Sequence, residues 1–454
     1  MKKITRQLLA ITSLAAVSIL LSACASGQLK SAQSAYRQGN ISGSAATING
    51  LAAKEKIGAR DSELVFMEQG SILSTAGRSA EANTAFKNAD QSITAHLQAA
   101  KIQLGNEAGA MLSNLNALPY RSSPSERLMG AALLASSFAE KGEFVPARSA
   151  VANLRNRQNE VINEFQKQID REQATLQQAL DQDPKMKIQL DMGQLEQAQQ
   201  RLQATSSKYT PYKEYMVPYA EALAGVVVGS GPGAEPSRAS EYFSRALACH
   251  PRAKSLQRAK SGLSGTTNVF IEDGVGPSLG SFRFDIPIVI NGSFTTLSAA
   301  FPTFEPAPLV GAPASLQVGG GTVTPDLICE FDRIAAKEFD RKLPGTIAKT
   351  MASSTLKAVA SIAAQMAAEQ IGGDYGGIAK LGVGLVTTGY NIGSAQADQR
   401  IWSTLPKQVR YACVATPSSG EILIGGAKVK LPGKTNLVIA RVINGQVHVR
   451  TAAL

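Results

Sequence analysis

The sequence predicts an α+β protein in which a domain of repeated helices precedes a mixed β-sheet domain with inserted helices. Three observations predict this class. Small and aromatic residues recur at helix-pair spacing through residues 24–260, short β-rich runs begin after residue 265, and helical patterning near 326–400 is followed by further strands. We therefore expect a helical domain over 24–260 and an α+β domain over 265–454 with strands at both of its ends.

The N terminus of the chain has the order of a bacterial lipoprotein signal. Three cations fall within the first six residues, and the apolar run 8–20 leads into a small-residue box that ends in Cys24. A bilayer-spanning helix needs about 20 apolar residues, so the shorter run favours a removed signal over residues 1–23. Cys24 is then the first mature residue, and its diacylglycerol and further acyl chain, such as palmitate, suffice for stable anchoring. Ala25, where an aspartate would favour inner-membrane retention, leaves the periplasmic face of the outer membrane as the expected location.

The helical half carries the spacing of the tetratricopeptide (TPR) signature. The residues at these positions are Phe66, Gly70, Leu73, Gly77, Ala82, Phe86 and Ala89. Small Gly70 and Ala82 allow paired helices to approach closely, Gly77 suits the turn, and Phe86 fills the space between units. Weaker matches recur over 135–154 and 239–251, so we predict one continuous TPR-like stack.

A stretch of high helix propensity interrupts these repeats. Residues 153–207 are rich in Gln, Glu and Arg and predict long helices with a hinge at Asp183-Pro184. An exposed coiled-coil-like arm and an unusually long repeat are both consistent with this composition.

The C-terminal half alternates between strand and helix patterns. Strand-like runs cover 269–274, 282–290 and 294–304, with a hairpin turn at Asn291-Gly292, and residues 302–325 are expected to form a long loop. After the helices near 326–400, further strand-like runs occupy 410–450, and Asn444-Gly445 is the strongest hairpin signal in the chain. We expect these last strands to complete the sheet begun by the first.

The glycine-rich segment 376–393 admits two interpretations. Its small residues recur at the spacing used for close helix packing, which would suit a membrane-inserting hairpin. Lys380 interrupts the segment, and the uncharged run that follows has roughly 17 residues, short for a span. A buried helix packed on the β domain is therefore favoured.

Residues able to carry chemistry are few. His96, His250 and His448 have no Cys, Asp or Glu at metal or nucleophile spacing and are expected to be ordinary surface or terminal residues. Cys329 and Cys413 could pair in an oxidising periplasm, with separate buried thiols as the alternative. We predict no catalytic residue, no metal site and no cofactor.

Asp398, Arg400 and Trp402 form the best candidate constellation. The carboxylate and the guanidinium, two residues apart, can pair at a helix-to-strand junction while the indole packs beneath them. Such a group is either a structural staple or part of a partner-binding surface. Glu272 and Asp273 are adjacent in a predicted strand and would point to opposite faces, so turn capping and sheet-edge solvation explain them better than acid–base chemistry.

Several ordered motifs carry a family resemblance. They are AGRSAEANTAFKNAD, SERLMGAALLASSFAEKGEFVPAR, Glu272-Asp273-Gly274, Asp285-Ile286-Pro287 and DQRIWSTLP over 398–406. Together they resemble a family of uncharacterised proteobacterial outer-membrane lipoproteins with TPR-like N-terminal repeats and a C-terminal β-containing domain. Gly130 stands where a histidine tends to occur in that family, so no role of that histidine carries over. The resemblance implies an accessory role in the envelope.

These features favour a non-enzymatic scaffold or adaptor that binds another periplasmic or outer-membrane protein through its helical-repeat surface. Loss of the three signal cations lowers the formal charge from +11 to +8, a mild excess that, in this compartment, does not point to nucleic acid. The alternative is a membrane-active or self-assembling outer-membrane component, possible as a homo-oligomer, that uses segment 376–393. An envelope glycan hydrolase has only the compartment in its favour.

Overall fold

The computed structural model describes residues 27–102, 118–181, 188–190, 192–213, 216–290, 293–309, 314–369 and 396–454. The signal at 1–23, the lipidation of Cys24, the hinge at 183–184, the turn at 291–292 and the segment 376–393 lie outside these residues and stay predictions. Within them the chain is mixed α and β, as predicted.

Helices dominate the described residues up to 261. Helix α1 covers 27–37 and is followed by α2 (Ile41–Ala52), α3 (Ser62–Thr75), α4 (Ser79–Ile102), α5 (Pro124–Glu140), α6 (Phe144–Asp181), α7 (Met192–Ser206), α8 (Pro218–Val228), α9 (Pro236–Cys249) and α10 (Lys254–Ser261). Successive helices from α2 to α6 pack against one another, and α8 joins the stack by packing on α5 and α9. The predicted helical stretch 153–207 corresponds to the later part of α6 and to α7, with the short strand β1 (Ile188–Leu190) between them.

Glycines close the turns between paired helices. Gly77 adopts a φ of 73°, and the amide of Arg78 donates to the carbonyl of Leu73 while that of Gly77 donates to Ser74. This is the Schellman arrangement that ends a helix on a left-handed glycine. Gly142 closes the turn between α5 and α6 with the same φ. The predicted turn at Gly77 is confirmed.

The described residues of the C-terminal half form one long helix and strands that belong to three sheets. Its elements are β2 (Thr266–Asp273), β3 (Ser278–Ile290), β4 (Ser293–Glu305), β5 (Leu316–Val318), β6 (Gly321–Val323), β7 (Asp326–Glu330), α11 (Phe331–Glu369), β8 (Gln408–Ala415), β9 (Glu421–Ile424), β10 (Ala427–Lys430), β11 (Asn436–Ile443) and β12 (Gln446–Ala453). The strand orders are β12-β11-β2-β8-β7, β10-β9-β5-β6 and β1-β3-β4, and every pair is antiparallel except β2 with β11.

The largest sheet joins the two ends of this half, as predicted. β2 lies between β8 and β11, so the first strand of the half is completed by late ones. The hairpin at Asn444-Gly445 is also confirmed: the two residues have φ of 49° and 77°, as a type I′ turn requires, and Ile443 pairs with Gln446.

The loop expected over 302–325 is partly wrong. β4 continues to Glu305, and β5 and β6 form a small hairpin within the range. Pro302 does not end β4, because this strand lies at the edge of its sheet, where a missing amide donor is tolerated.

One hydrophobic core runs through both halves. Buried residues of α1 to α6 and of α8 to α10 are continuous with Phe270, Tyr411 and Leu437 on one face of the five-stranded sheet. Trp402, which precedes β8, belongs to the same core. The opposite face of that sheet packs on the four-stranded sheet, and α11 packs on β4, α7 and α6. Of the helices that the structure describes, none combines the length and apolarity needed to cross a bilayer.

Candidate functional site

A cavity of about 180 Å³ lies where the two halves meet. Its walls come from residues 118–126, which lead into α5, from α6, from the β3–β4 hairpin, from the first half of α11 and from the extended segment 396–407. The floor is apolar and includes Leu279, Phe304, Ile334, Phe339 and Leu343. Polar side chains line the remaining wall, among them Asp398 and Arg400.

The structure pairs Asp398 with Arg400. Arg400 donates from Nε to Asp398 Oδ1 over 2.8 Å and from Nη2 to Oδ2 over 2.7 Å, a bidentate geometry. Its Nη1 donates to Asp61 Oδ1 over 2.7 Å and to the carbonyl of Leu118 over 3.0 Å. Although burial acts to lower the pKa of Arg400, the charges of the two aspartates raise it above its ordinary value. The guanidinium of Arg400 therefore links segment 396–407 to the N terminus of α3 and to the loop that contains Leu118.

Trp402, two residues after Arg400, is 1% exposed. Its backbone amide donates to Glu126 Oε1 over 2.9 Å, and its Nε1 donates to Ser71 Oγ over 3.1 Å. The ring of Phe86 is 6.4 Å away between centroids. Any contact that this constellation makes with a partner at the surface must therefore use Asp398 or Arg400, since the indole is buried.

Glu68 in α3 also holds segment 396–407 in place, through hydrogen bonds. Its carboxylate accepts the amide of Ser403 over 2.8 Å, the hydroxyl of Thr404, and Nε2 of Gln33 over 2.7 Å. Burial raises the pKa of Glu68, and these donors offset the rise only in part. The segment is extended and lacks a sheet partner here, so the side chain replaces the missing acceptors.

Glu126 and Glu338 likewise accept hydrogen bonds from backbone amides, here at the N terminus of α5. Ser123 and Glu126 form a reciprocal capping box, in which the Ser123 amide donates to Glu126 Oε2 over 2.6 Å. Glu338 of α11 accepts the amide and the hydroxyl of Ser125 over 2.8 and 2.6 Å. Burial raises the pKa of Glu338 despite these donors. The Ser-x-x-Glu spacing is a local signal for the first bond; nothing local indicates the second.

His96 corrects a sequence expectation. The prediction of an ordinary surface histidine is wrong: His96 is buried, with Nδ1 2.6 Å from Glu63 Oε1 and Nε2 3.1 Å from the carbonyl of Gly58. Burial acts to raise the pKa of Glu63, but hydrogen bonds from His96 and Ser122 and the charge of Arg127 hold it below its ordinary 4.5. The pair joins α4 to α3.

The other two histidines are half-buried. His250 packs edge-on against the ring of Tyr212, and burial lowers the pKa of its imidazole. His448 lies on β12, where burial also lowers its pKa. Neither is fully on the surface, and neither approaches the cavity of the candidate site.

The disulfide considered for Cys329 and Cys413 is wrong. Both thiols are free and buried. Cys329 is opposite Val409 in the β7–β8 pair, so Cys413 is four residues, or about 13 Å, further along β8. A disulfide tolerates a Cα separation of at most about 7 Å. Separate buried thiols, the alternative, are what the structure contains.

Glu272 and Asp273 are not at a sheet edge. Both are buried in the central strand β2, where Glu272 Oε1 accepts from the hydroxyl of Tyr219 over 2.5 Å and Asp273 Oδ2 is 3.8 Å from Arg410 Nε. The prediction that turn capping and sheet-edge solvation explain these two carboxylates is therefore wrong. Glu272 instead helps to attach the sheet to α8.

The described residues contain no group of three His, Cys, Asp or Glu side chains placed to hold a metal ion. Comparison of the chain with protein-family models, with curated proteins and with solved structures finds no match in any of the three. What the geometry defines is an α+β protein with a stacked helical half and a cavity at its junction with the sheet domain.

Proposed function

We propose that the protein is a non-enzymatic scaffold or adaptor of the bacterial envelope. In this proposal the acyl chains on Cys24 hold it to the periplasmic face of the outer membrane, and its TPR-like helices bind another envelope protein. The signal-like N terminus supports the anchor, and the repeated helix packing supports the binding role.

The observation that carries the proposal is a glycine–phenylalanine contact that occurs in two helix pairs. A Cβ placed on Gly70 would lie 2.4 Å from the ring of Phe86, and one placed on Gly225 would lie 2.9 Å from the ring of Phe243. In each pair, glycine on the first helix admits an aromatic ring from the second. This recurrence supports TPR-like repeats, whose stacked helices present an extended binding surface.

The state of the cavity carboxylates also supports binding rather than chemistry. Glu126 and Glu338 accept hydrogen bonds from backbone amides, and Asp398 accepts two from Arg400. A general base needs a free lone pair directed at the proton that it removes. These carboxylates are instead occupied in holding the walls of the cavity.

The test is photo-crosslinking in cells with the full lipidated chain. A photoreactive residue replaces Val145, 77% exposed at the start of α6, and the matched control carries it at Lys428, whose side chain is 65% exposed on β10. We expect a discrete crosslink to another envelope protein from position 145, and none from 428.

A Cys24→Ser chain, which cannot be lipidated, provides the second control and should lose the crosslink. Self-crosslinked ladders from position 145 with no second protein would overturn the adaptor and favour the self-assembling alternative. A crosslink of equal yield from the Cys24→Ser chain would show that partner binding does not depend on the lipid anchor, and would contradict that part of the proposal.

A further inference from the structure

We propose that the cavity at the junction binds an apolar group of about one aromatic ring that carries a carboxylate, with the ammonium of Lys342 as its counter-ion. The inference rests on the proposed function only for the source of this ligand, which would be the C-terminal residue of a partner protein. A free apolar carboxylic acid has the same chemistry.

The size of the cavity sets the size of the apolar group. An apolar protein cavity of about 150 Å³ is enough to bind benzene. The present cavity has a volume of about 180 Å³, and Leu279, Phe304, Phe339 and Leu343 form its apolar floor. One phenyl ring or one branched aliphatic side chain matches that space.

The carboxylates in the wall already have partners within the protein, which disfavours a cationic ligand. Glu126 and Glu338 are engaged by amide and hydroxyl donors, Asp398 is engaged by Arg400, and Glu172 Oε1 is 3.3 Å from the ammonium of Lys349. A ligand cation would have to displace donors that the fold itself supplies, which costs the free energy of leaving them unpaired.

Lys342 is the cation in the wall that remains available. Its ammonium lies 5.3 Å from the ring centroid of Phe165 and forms no ion pair with a carboxylate of the described residues. The charge of Lys342 acts on Glu338, one turn earlier on α11, and that carboxylate is already hydrogen-bonded to Ser125. Arg121 adds further positive charge to the same wall. An anionic group at the mouth of the apolar floor is therefore the complementary ligand.

The chain provides its own reporter for the test. Trp402 is the only tryptophan and lines the cavity, so its fluorescence reports occupancy. The probes are N-acetylphenylalanine, its C-terminal amide, and 3-phenylpropionate, each titrated against the full mature chain with Cys24 replaced by Ser to avoid detergent.

We expect a saturable change with N-acetylphenylalanine and about tenfold weaker binding of the amide, since a hydrogen bond to a charged group contributes roughly this factor. The Lys342→Gln substitution should weaken the binding of N-acetylphenylalanine by the same factor and leave the binding of its amide unchanged. Lys337→Gln, on the same helix but outside the cavity lining, should change neither.

A second variant separates binding from surface adsorption. Ala335 lines the cavity, so Ala335→Phe should fill it and abolish the response, with circular dichroism and thermal unfolding used to verify the fold. Equal affinities for the acid and the amide, unaltered binding by Lys342→Gln, or no saturable response into the millimolar range would each overturn the inference.

The two probes with carboxylates distinguish the sources of the ligand. Tighter binding of N-acetylphenylalanine supports a chain terminus, whereas tighter binding of 3-phenylpropionate supports a free acid; both support the cavity as the site. A failed crosslinking experiment would contradict the adaptor proposal without changing the result of these titrations. The two proposals are therefore tested independently.

Discussion

Replacement of Gly70 by alanine tests the helix packing on which the proposed function depends. A Cβ at this position would lie 2.4, 2.6 and 2.7 Å from three ring carbons of Phe86. The ring is 1% exposed and lies 6.4 Å from the buried ring of Trp402 between centroids, so it has little space in which to move aside. Overpacking of this kind costs about 1–3 kcal/mol.

The helix itself gains from the same change. Alanine is favoured over glycine inside a helix by about 0.5–1 kcal/mol. The expected net effect of Gly70→Ala is therefore a loss of about 1–2 kcal/mol in the free energy of unfolding. Gly225→Ala should cost less, because its nearest contacts with Phe243 are 2.9 to 3.1 Å.

Gly130 is the matched control. It lies inside α5, and a Cβ placed on it would have no neighbouring atom within 4 Å, so Gly130→Ala should gain about 0.5–1 kcal/mol. The assay is urea unfolding followed by the fluorescence of Trp402. If Gly70→Ala proves as stable as Gly130→Ala, the close approach of α3 and α4 is refuted. A double variant with Phe86→Leu should recover part of the loss, as coupling between contacting residues requires.

Three further predictions concern buried polar groups. Glu68→Ala should cost about 3 kcal/mol in urea unfolding by leaving buried donors unpaired. Glu81→Ala, at a side chain that is 54% exposed, should cost much less, and equal losses would contradict the role assigned to Glu68. Because the pKa of Glu63 is lowered in the fold, its ionised form stabilises the protein above the ordinary pKa of 4.5, and this contribution disappears as the pH falls through the folded value. Glu63→Gln should therefore be more destabilising at pH 7 than at about pH 3.5, and a pH-independent difference would refute the assignment. Cys329 and Cys413 should both be alkylated after denaturation without reductant, and a mass-spectrometric peptide that links them would contradict the free thiols.

Features set by neighbouring residues could be predicted from the sequence. The turn at Gly77 and the hairpin at Asn444-Gly445 depend on a left-handed backbone, which few residue types accept. The pairing of Asp398 with Arg400 follows from two opposite charges two residues apart in an extended chain. Each of these features needs only local information, so each can be predicted before the fold is known.

Features set by distant residues could not be predicted in this way. Glu68 meets Ser403 across 335 residues of sequence, and Glu338 meets Ser125 across 213. His96 is buried only because α4 places it against Glu63, and nothing in its own neighbourhood indicates this. The cavity has the same origin, since separated parts of the chain form its walls.

These distant bonds make the helical half and the sheet domain dependent on one another. The helical core is continuous with the five-stranded sheet through Phe270 and Tyr411, and Glu68 finds two of its donors in Ser403 and Thr404. A chain cut at residue 263 would expose that apolar face and leave a buried carboxylate without these donors. We expect residues 27–263 alone to lack a cooperative thermal transition, and co-expression with 264–454 to restore it. Cooperative unfolding of the isolated fragment within a few degrees of the full chain would show that the helices fold on their own and that the buried carboxylates only join two finished domains.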